Sequence, residues 1–198
     1  MSKETRTLLL EAAERILIEQ GVHALTVRRV GAVSGLNGTL VTYHFGTMSH
    51  LLEELCRLNL EPMTAEWASI EERVAAVADA EKLELTLRLW LQPLIQTAAF
   101  THDGRALMVL DEIAAHGEAT LSEALLDAML SMSMRVHALL QPLLPTLDSR
   151  ELRARLRFIA GAALGPPPRT RGPDPVDGSE PLDSTNYLVA FAKASLLD

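Results

Sequence analysis

The chain is poor in aromatic residues and nearly without cysteine. Of its 198 residues only 4% are Phe, Trp or Tyr. Cys56 is the single cysteine, which excludes a disulfide framework and a cysteine zinc cluster. Long apolar runs are missing as well; none approaches the roughly 18 residues of a membrane-spanning helix. The N-terminal stretch MSKETRTLLLEAAERILIEQG is broken by Glu11, Glu14 and Arg15, so it lacks the uninterrupted apolar core of a secretory signal. These absences point to a soluble cytoplasmic protein with no membrane partner. Positive charge is also scarce: 18 Lys and Arg stand against 26 Asp and Glu, a net of −8.

Bulk acidity argues against nucleic-acid binding, but the deficit is uneven. Residues 1–50 hold Lys3, Arg6, Arg15, Arg28 and Arg29 against Glu4, Glu11, Glu14 and Glu19. That leaves a net of +1 there and −9 over residues 51–198. The hydrophobic fraction of 48% is ample for a core, and the length suits one large domain or two small ones.

The apolar pattern is helical almost throughout. Leu9, Ala13, Ile16 and Leu17 fall on one face of a first helix that Gly21 ends. Thr26 is placed to cap a short second helix, VRRVGAVS, which Gly35 closes. A third short piece, Gly38 to His44, follows the turn. Thr47 or Ser49 can cap a longer fourth helix, which Pro62 is expected to kink or break. Further helical stretches run through Trp67, Trp90, Met108 and the Met129–Met134 region. Leu152, Leu156, Ile159 and Ala163 form one stripe of a later helix, and STNYLVAFAKASLL closes the chain. Residues 165–183 hold six of the ten prolines, so a mobile loop is expected there. The fold class expected is all-α.

The scarce aromatics are concentrated. Tyr43, His44 and Phe45 stand side by side, just after Asn37, Gly38, Thr39 and Thr42. A core strand, a metal or catalytic site, and a helix tip facing something polar are all compatible with that composition. His44 has no second ligand at i+4, so packing or capping fits it better than a metal site. Two helices of about seven residues joined by a short glycine turn match a helix-turn-helix in spacing. Chance pairs in helical proteins match it too. In such a unit the first helix closes the core, and Gly31 lies where the second and third helices cross. Val27, Val30, Leu36, Leu40 and Val41 face inward, while Gly38, Thr39, Thr42 and Tyr43 face outward, a surface suited to a DNA major groove.

Residues 5–55 resemble the DNA-binding head of TetR-family transcriptional regulators. The resemblance rests on AAERIL…EQG, Thr26-Val27 at the second helix, Gly35-Leu36-Asn37 at the turn, and YHFG before the fourth helix. It implies a helix-turn-helix head over residues 1–47 and a helical ligand-binding and dimerisation body over 48–198. Thr39, Thr42 and Tyr43 would then touch bases and phosphates, and His44 would touch phosphate or brace the turn. Phe45 would plug the core. Thr26, Arg28 and Arg29 would fix the backbone register. Two departures stand out. The family often has tyrosine at the place of Thr42. It usually has Ser-Lys where this chain has Thr47-Met48, so the phosphate contact there falls to Thr47, Ser49 and the helix amides.

The resemblance also implies a homodimer, operator DNA and a small-molecule effector as partners. Small residues around Gly161 offer a smooth helical surface, and the last helix offers a second. Arg153, Leu156, Arg157, Ala160, Gly161, Leu188, Phe191 and Ala192 are the expected dimer contacts. Trp90, Met108, Met129, Met132, Met134 and Phe158 could line an apolar effector pocket, with Gln92, His116 and His137 as polar groups. A methionine stripe serves equally as ordinary core. No cofactor or metal is expected. No di-metal pattern, nucleophile elbow or phosphate loop supports an enzyme. The function expected is a ligand-responsive DNA-binding regulator, a repressor released by a small apolar or amphipathic molecule. The alternative is a dimeric ligand- or partner-binding protein of the same fold with weakened DNA affinity.

Overall fold

The structure is a computed structural model that describes residues 2–116, 119–165 and 184–197. Among these residues it is helical and has no strand. The helices are α1 (Ser2–Gln20), α2 (Val27–Ser34), α3 (Thr39–Phe45), α4 (Met48–Trp67), α5 (Ile70–Ala75) and α6 (Asp79–Leu94). After these come α7 (Ala106–His116), α8 (Ala119–Leu140), α9 (Ser149–Ala162) and α10 (Thr185–Leu197). Short 3-10 turns at Val22–Ala24 and Gln141–Leu143 were not legible as separate elements. The all-α expectation holds. The proline-rich segment expected to be a mobile loop falls, from residue 166 to 183, outside the described residues.

The chain divides into two compact units. The first comprises Met1–Glu61 and Thr97–Leu126; the second comprises Pro62–Gln96 and Asp127–Asp198. In the first, α1 is flanked by α2 and α7, and α2 packs on α3. Its core includes Leu9, Ala13, Ile16, Leu17, Val30, Val41, Leu51, Leu55, Val109 and Ile113, all buried. The residues expected at the 1–47 head thus share a core with α7.

In the second unit α6 packs against α5 and α10, and α10 against α9. Met63, Trp67, Ile70, Leu87, Leu91, Met132, Val136, Leu152, Ile159, Val189 and Leu196 are buried there. The Trp67 indole N–H donates to the Trp90 carbonyl (3.1 Å). Arg135 of α8 donates to the Glu71 carboxylate and to the Trp67 carbonyl (2.9 Å). Lys193 and Asn186 of α10 reach Glu84 and Arg88 of α6 (3.0 and 2.8 Å).

Pro62 does not end α4, which runs on to Trp67. Proline removes only the bond to the Leu58 carbonyl, and the burial of Asn59 and Met63 on either side holds the helix through that gap.

Candidate nucleic-acid interface

The segment from Thr26 to His50 is built by capping. The Thr26 hydroxyl accepts the Arg29 N–H (3.1 Å) and starts α2, so Arg28 and Arg29 project from its first turn. Both are exposed, and no ion pair holds either among the described residues. Gly35, at φ 70°, closes α2 in the left-handed region. Asn37 then opens α3: its side-chain oxygen accepts the Thr39 N–H (3.0 Å) and the Thr39 hydroxyl (2.9 Å).

The two helices meet at glycines. A Cβ on Gly31 would lie 2.7 Å from the Gly38 nitrogen and 3.0 Å from the Leu36 carbonyl oxygen. A Cβ on Gly38 would lie 2.8 Å from the Val27 carbonyl oxygen. The crossing expected at Gly31 is therefore present. Gly38, however, does not face outward as expected. It is the N-cap of α3 and its open side meets Val27 of α2.

On α3 the division into two faces is sharp. Val41 and Phe45 are buried. Thr39, Thr42 and Tyr43 are exposed, Tyr43 at 80%. The His44 ring is half-buried and meets the Tyr43 ring edge-on, with centroids 5.0 Å apart. Gly46 ends α3, and the Thr47 hydroxyl accepts the His50 N–H (3.2 Å) to start α4. His50 Nδ1 donates to the Phe45 carbonyl (3.0 Å), which ties the two helix ends together. Met48 and Ser49 are half-buried at that start.

Arg6 is a residue that sequence reasoning missed. Its guanidinium lies over the Phe45 ring, 4.8 Å from the centroid, and donates to Glu54 (2.9 Å). Hydrogen bonds from Arg57 and then from Arg6 hold the Glu54 carboxyl below its ordinary range. Arg6 therefore clamps α3 to α1 and α4. The available signal was a cation near the start of α1 with an acid on α4, but nothing local links positions 6 and 54.

Three successive helix starts thus present Thr26, Arg28 and Arg29; then Thr39, Thr42 and Tyr43; then Thr47. Hydroxyls, a phenol and two exposed guanidinium groups can donate to phosphates and to base edges.

The expected dimer and effector residues divide differently. On α9, Arg153, Arg157 and Gly161 are exposed, and Phe158 is exposed at 77%. On α10, Tyr187 and Phe191 are exposed; Ala160 and Leu188 are half-buried. Arg155 donates to the Ser195 carbonyl (2.6 Å) and joins the two helices. Leu156 and Ala192 are corrections: both are closed off within the second unit, because they fall on the inward stripes with Leu152, Ile159, Val189 and Leu196. Phe158 is also a correction. It lines no interior and stands on the open face of α9, one position round from the buried stripe.

Trp90 and Met132 are buried in the second unit, Met129 is half-buried there, and Met134 is exposed. Met108 is buried and belongs to the first unit. Gln92 lines a groove of the second unit with Glu66, Arg73, Leu89, Pro93 and Gln96. His137 is satisfied by Ser149, whose hydroxyl and carbonyl lie 3.2 and 3.3 Å from its Nε2. The His116 side chain is outside the described residues. Among the described residues, no group of His, Cys, Asp and Glu is placed to hold a metal, and no helix is long and apolar enough to cross a membrane.

Residues 9–55 match the family described as bacterial regulatory proteins, tetR family. No curated protein sequence matches the chain. Solved structures match over nearly its whole length. SCO3833, a TetR-family regulator from Streptomyces coelicolor A3, is 18% identical, with 96% of this chain and 89% of that chain covered and a TM-score of 0.68. PfmR, a TetR-family regulator from Thermus thermophilus, is 14% identical, with 96% and 98% covered and a TM-score of 0.65. NalD, the secondary repressor of the MexAB-OprM multidrug efflux pump in Pseudomonas aeruginosa, is 21% identical, with 98% of each chain covered and a TM-score of 0.50. Residues 9–55 thus match the DNA-binding head of the tetR family, and the fold along almost the whole chain is similar to that of TetR-family regulators.

Proposed function

We propose that the protein is a homodimeric repressor that reads a two-fold operator with α3 and leaves it when a small molecule binds the body. The observation that carries this reading is the outward face of α3. Tyr43, Thr39 and Thr42 stand exposed on a helix whose other face is fixed by Phe45, Val41 and the Gly31–Gly38 approach. A rigid helix with donors on its open side suits base reading, because the side chains are held in place before contact. Two such helices about 34–36 Å apart would enter successive major grooves.

The open face of α9 and α10, with Gly161, Phe158 and Phe191, supports a four-helix contact with a second copy. Both aromatics are exposed, on two helices that pack together, and large apolar surface of this kind marks an interaction site. The role of repressor, printed for NalD, is assigned here by shared fold. The groove beside Gln92, on α6, is the place assigned to the effector. It is lined by Leu89 and Gln92, on either side of Trp90 in the sequence, and takes an amphipathic molecule through the Gln92 and Gln96 amides and the Leu89 and Pro93 side chains.

The test is an electrophoretic shift with duplex DNA flanking the protein's own gene. The expected result is a complex that unlabelled flanking DNA displaces and unrelated DNA does not. Equal competition by both would reduce the function to the alternative, a dimeric binding protein with only general DNA affinity.

A further inference from the structure

We propose that Glu14 is a positioning residue for the reading head, and that with Asn59 it holds a strap, residues 97–104, in register against α1 and α4. The inference rests on the DNA-reading function above.

Glu14 is a carboxylate in the core of the first unit, 0% exposed. Its Oε1 accepts the side-chain N–H of Asn59 on α4 (3.0 Å). Its Oε2 accepts the backbone N–H groups of Phe100 (2.7 Å) and Thr101 (2.8 Å). Asn59 is buried too; its Oδ1 accepts the Ala99 N–H (3.1 Å) and its amide also donates to the Leu55 carbonyl (3.0 Å). Three successive amides of the strap are therefore held by side chains of α1 and α4.

The strap has almost no regular structure of its own. The Ala98 N–H donates to the Gly104 carbonyl (2.9 Å), and one isolated bridge joins Thr97 to Arg105. Gly104 is pressed on α1, where a Cβ would lie 2.3 Å from Ile18 Cδ1. A second attachment follows on α7, whose Glu112 accepts the Val22 N–H (3.0 Å) just past the end of α1.

Apolar packing alone does not account for this arrangement. A leucine at position 14 would extend the buried face of Leu10, Ala13 and Leu17 without taking a carboxylate out of water, which costs several kcal/mol before its partners are counted. What only a paired acceptor supplies is register: Glu14 fixes two consecutive amides against α1, and Asn59, which it holds, fixes the amide before them against α4. From α1 the packing runs to α2, which carries Arg28 and Arg29, and through Gly31 and Gly38 to α3. Coupling between two sites is reciprocal, so DNA on α3 must also act on the strap.

The experiment is amide hydrogen exchange on the full chain, free and saturated with a duplex that the protein itself enriches from a random pool. The expected result is that DNA slows exchange at Ala99, Phe100 and Thr101 by about fivefold or more, the lower end of common couplings. Glu14→Gln has one acceptor oxygen where Glu14 has two, and it should lose this response while still folding. If it does not fold, Asn59→Ala serves instead: the response should vanish at Ala99 and persist at Phe100 and Thr101. DNA binding with unaltered strap amides overturns the inference and leaves the DNA-reading function standing, as does a full response in both variants. A protein that enriches no duplex overturns both.

Discussion

The backbone of Gly38 fills the space where a side chain on Gly31 would have to go. Alanine at 31 would bring its Cβ to within 2.8 Å of two Gly38 backbone atoms, neither of which can rotate away. Gly31→Ala should therefore cost about 1–3 kcal/mol, the usual penalty for overpacking, read as a lower urea midpoint. Gly35→Ala meets nothing within 4 Å but must hold φ +70°, so it should cost about 1–2 kcal/mol through the backbone alone. Equal and negligible effects at both positions would mean that α2 and α3 are spaced more widely.

Tyr43 and Phe45 should separate function from stability. Tyr43→Ala removes an exposed ring and is expected to weaken operator binding by about 1–3 kcal/mol with the urea midpoint unchanged. Phe45→Ala empties a buried site under Arg6 and should cost about 3–5 kcal/mol of folding stability. Paired titrations of DNA and of urea on the two variants check the division.

Met48 stands at the start of α4 where a lysine would meet phosphate. Met48→Lys is expected to tighten operator binding and to steepen the slope of log K against log salt by about one unit per added contact. A slope that does not move would place residue 48 away from the DNA backbone.

Gly161 has nothing within 4 Å of its would-be Cβ, so Gly161→Arg fits the isolated subunit. It should nevertheless halve the mass seen in sedimentation, because the bulk and charge fall on the face proposed for the dimer. Leu156→Ala, on the buried stripe of the same helix, should instead cost about 2–5 kcal/mol of stability. A Gly161→Arg protein that stays dimeric would move the interface off α9.

Acid should loosen the clamp on α3. The Glu54 carboxyl is held below its ordinary value of 4.5, first by Arg57 and then by Arg6. A group depressed in the folded state contributes its full stabilisation above the unfolded value and loses it as pH falls through the folded one. The urea midpoint should thus fall as pH drops below about 4.5, and Glu54→Gln should flatten that fall. Parallel curves for the two proteins would assign the acid sensitivity to other carboxylates.

Much of the reading head was legible because its instructions are local. Thr26, Gly35 and Thr47 cap or close helices through bonds to residues within a few positions, and Gly31 signals a close crossing by having no side chain. The errors came where a choice of face turns on one residue. Gly38 is the N-cap of α3, not a residue of its outer face, and it lies against Val27 of α2. On α9 the stripe of Leu152, Leu156 and Ile159 was visible, but the neighbouring Phe158 looks equally apolar and faces out. Glu14 was illegible for another reason. A lone carboxylate on a helix reads as solvated surface, and its partners lie 45, 86 and 87 positions away. The helix through Pro62 likewise depends on burial on either side, which composition does not show.

Arg6 pairs with Phe45 and Glu54, and Arg15 with Glu11, so few cations of the head remain outside such pairs to displace the ions that surround DNA. A reader of this kind holds its site by fit more than by charge. When a bacterium draws in potassium against osmotic stress, a strongly basic protein is stripped from its sites as the ions crowd back. This one should stay in place, held on DNA across a rise in salt that would release a basic protein.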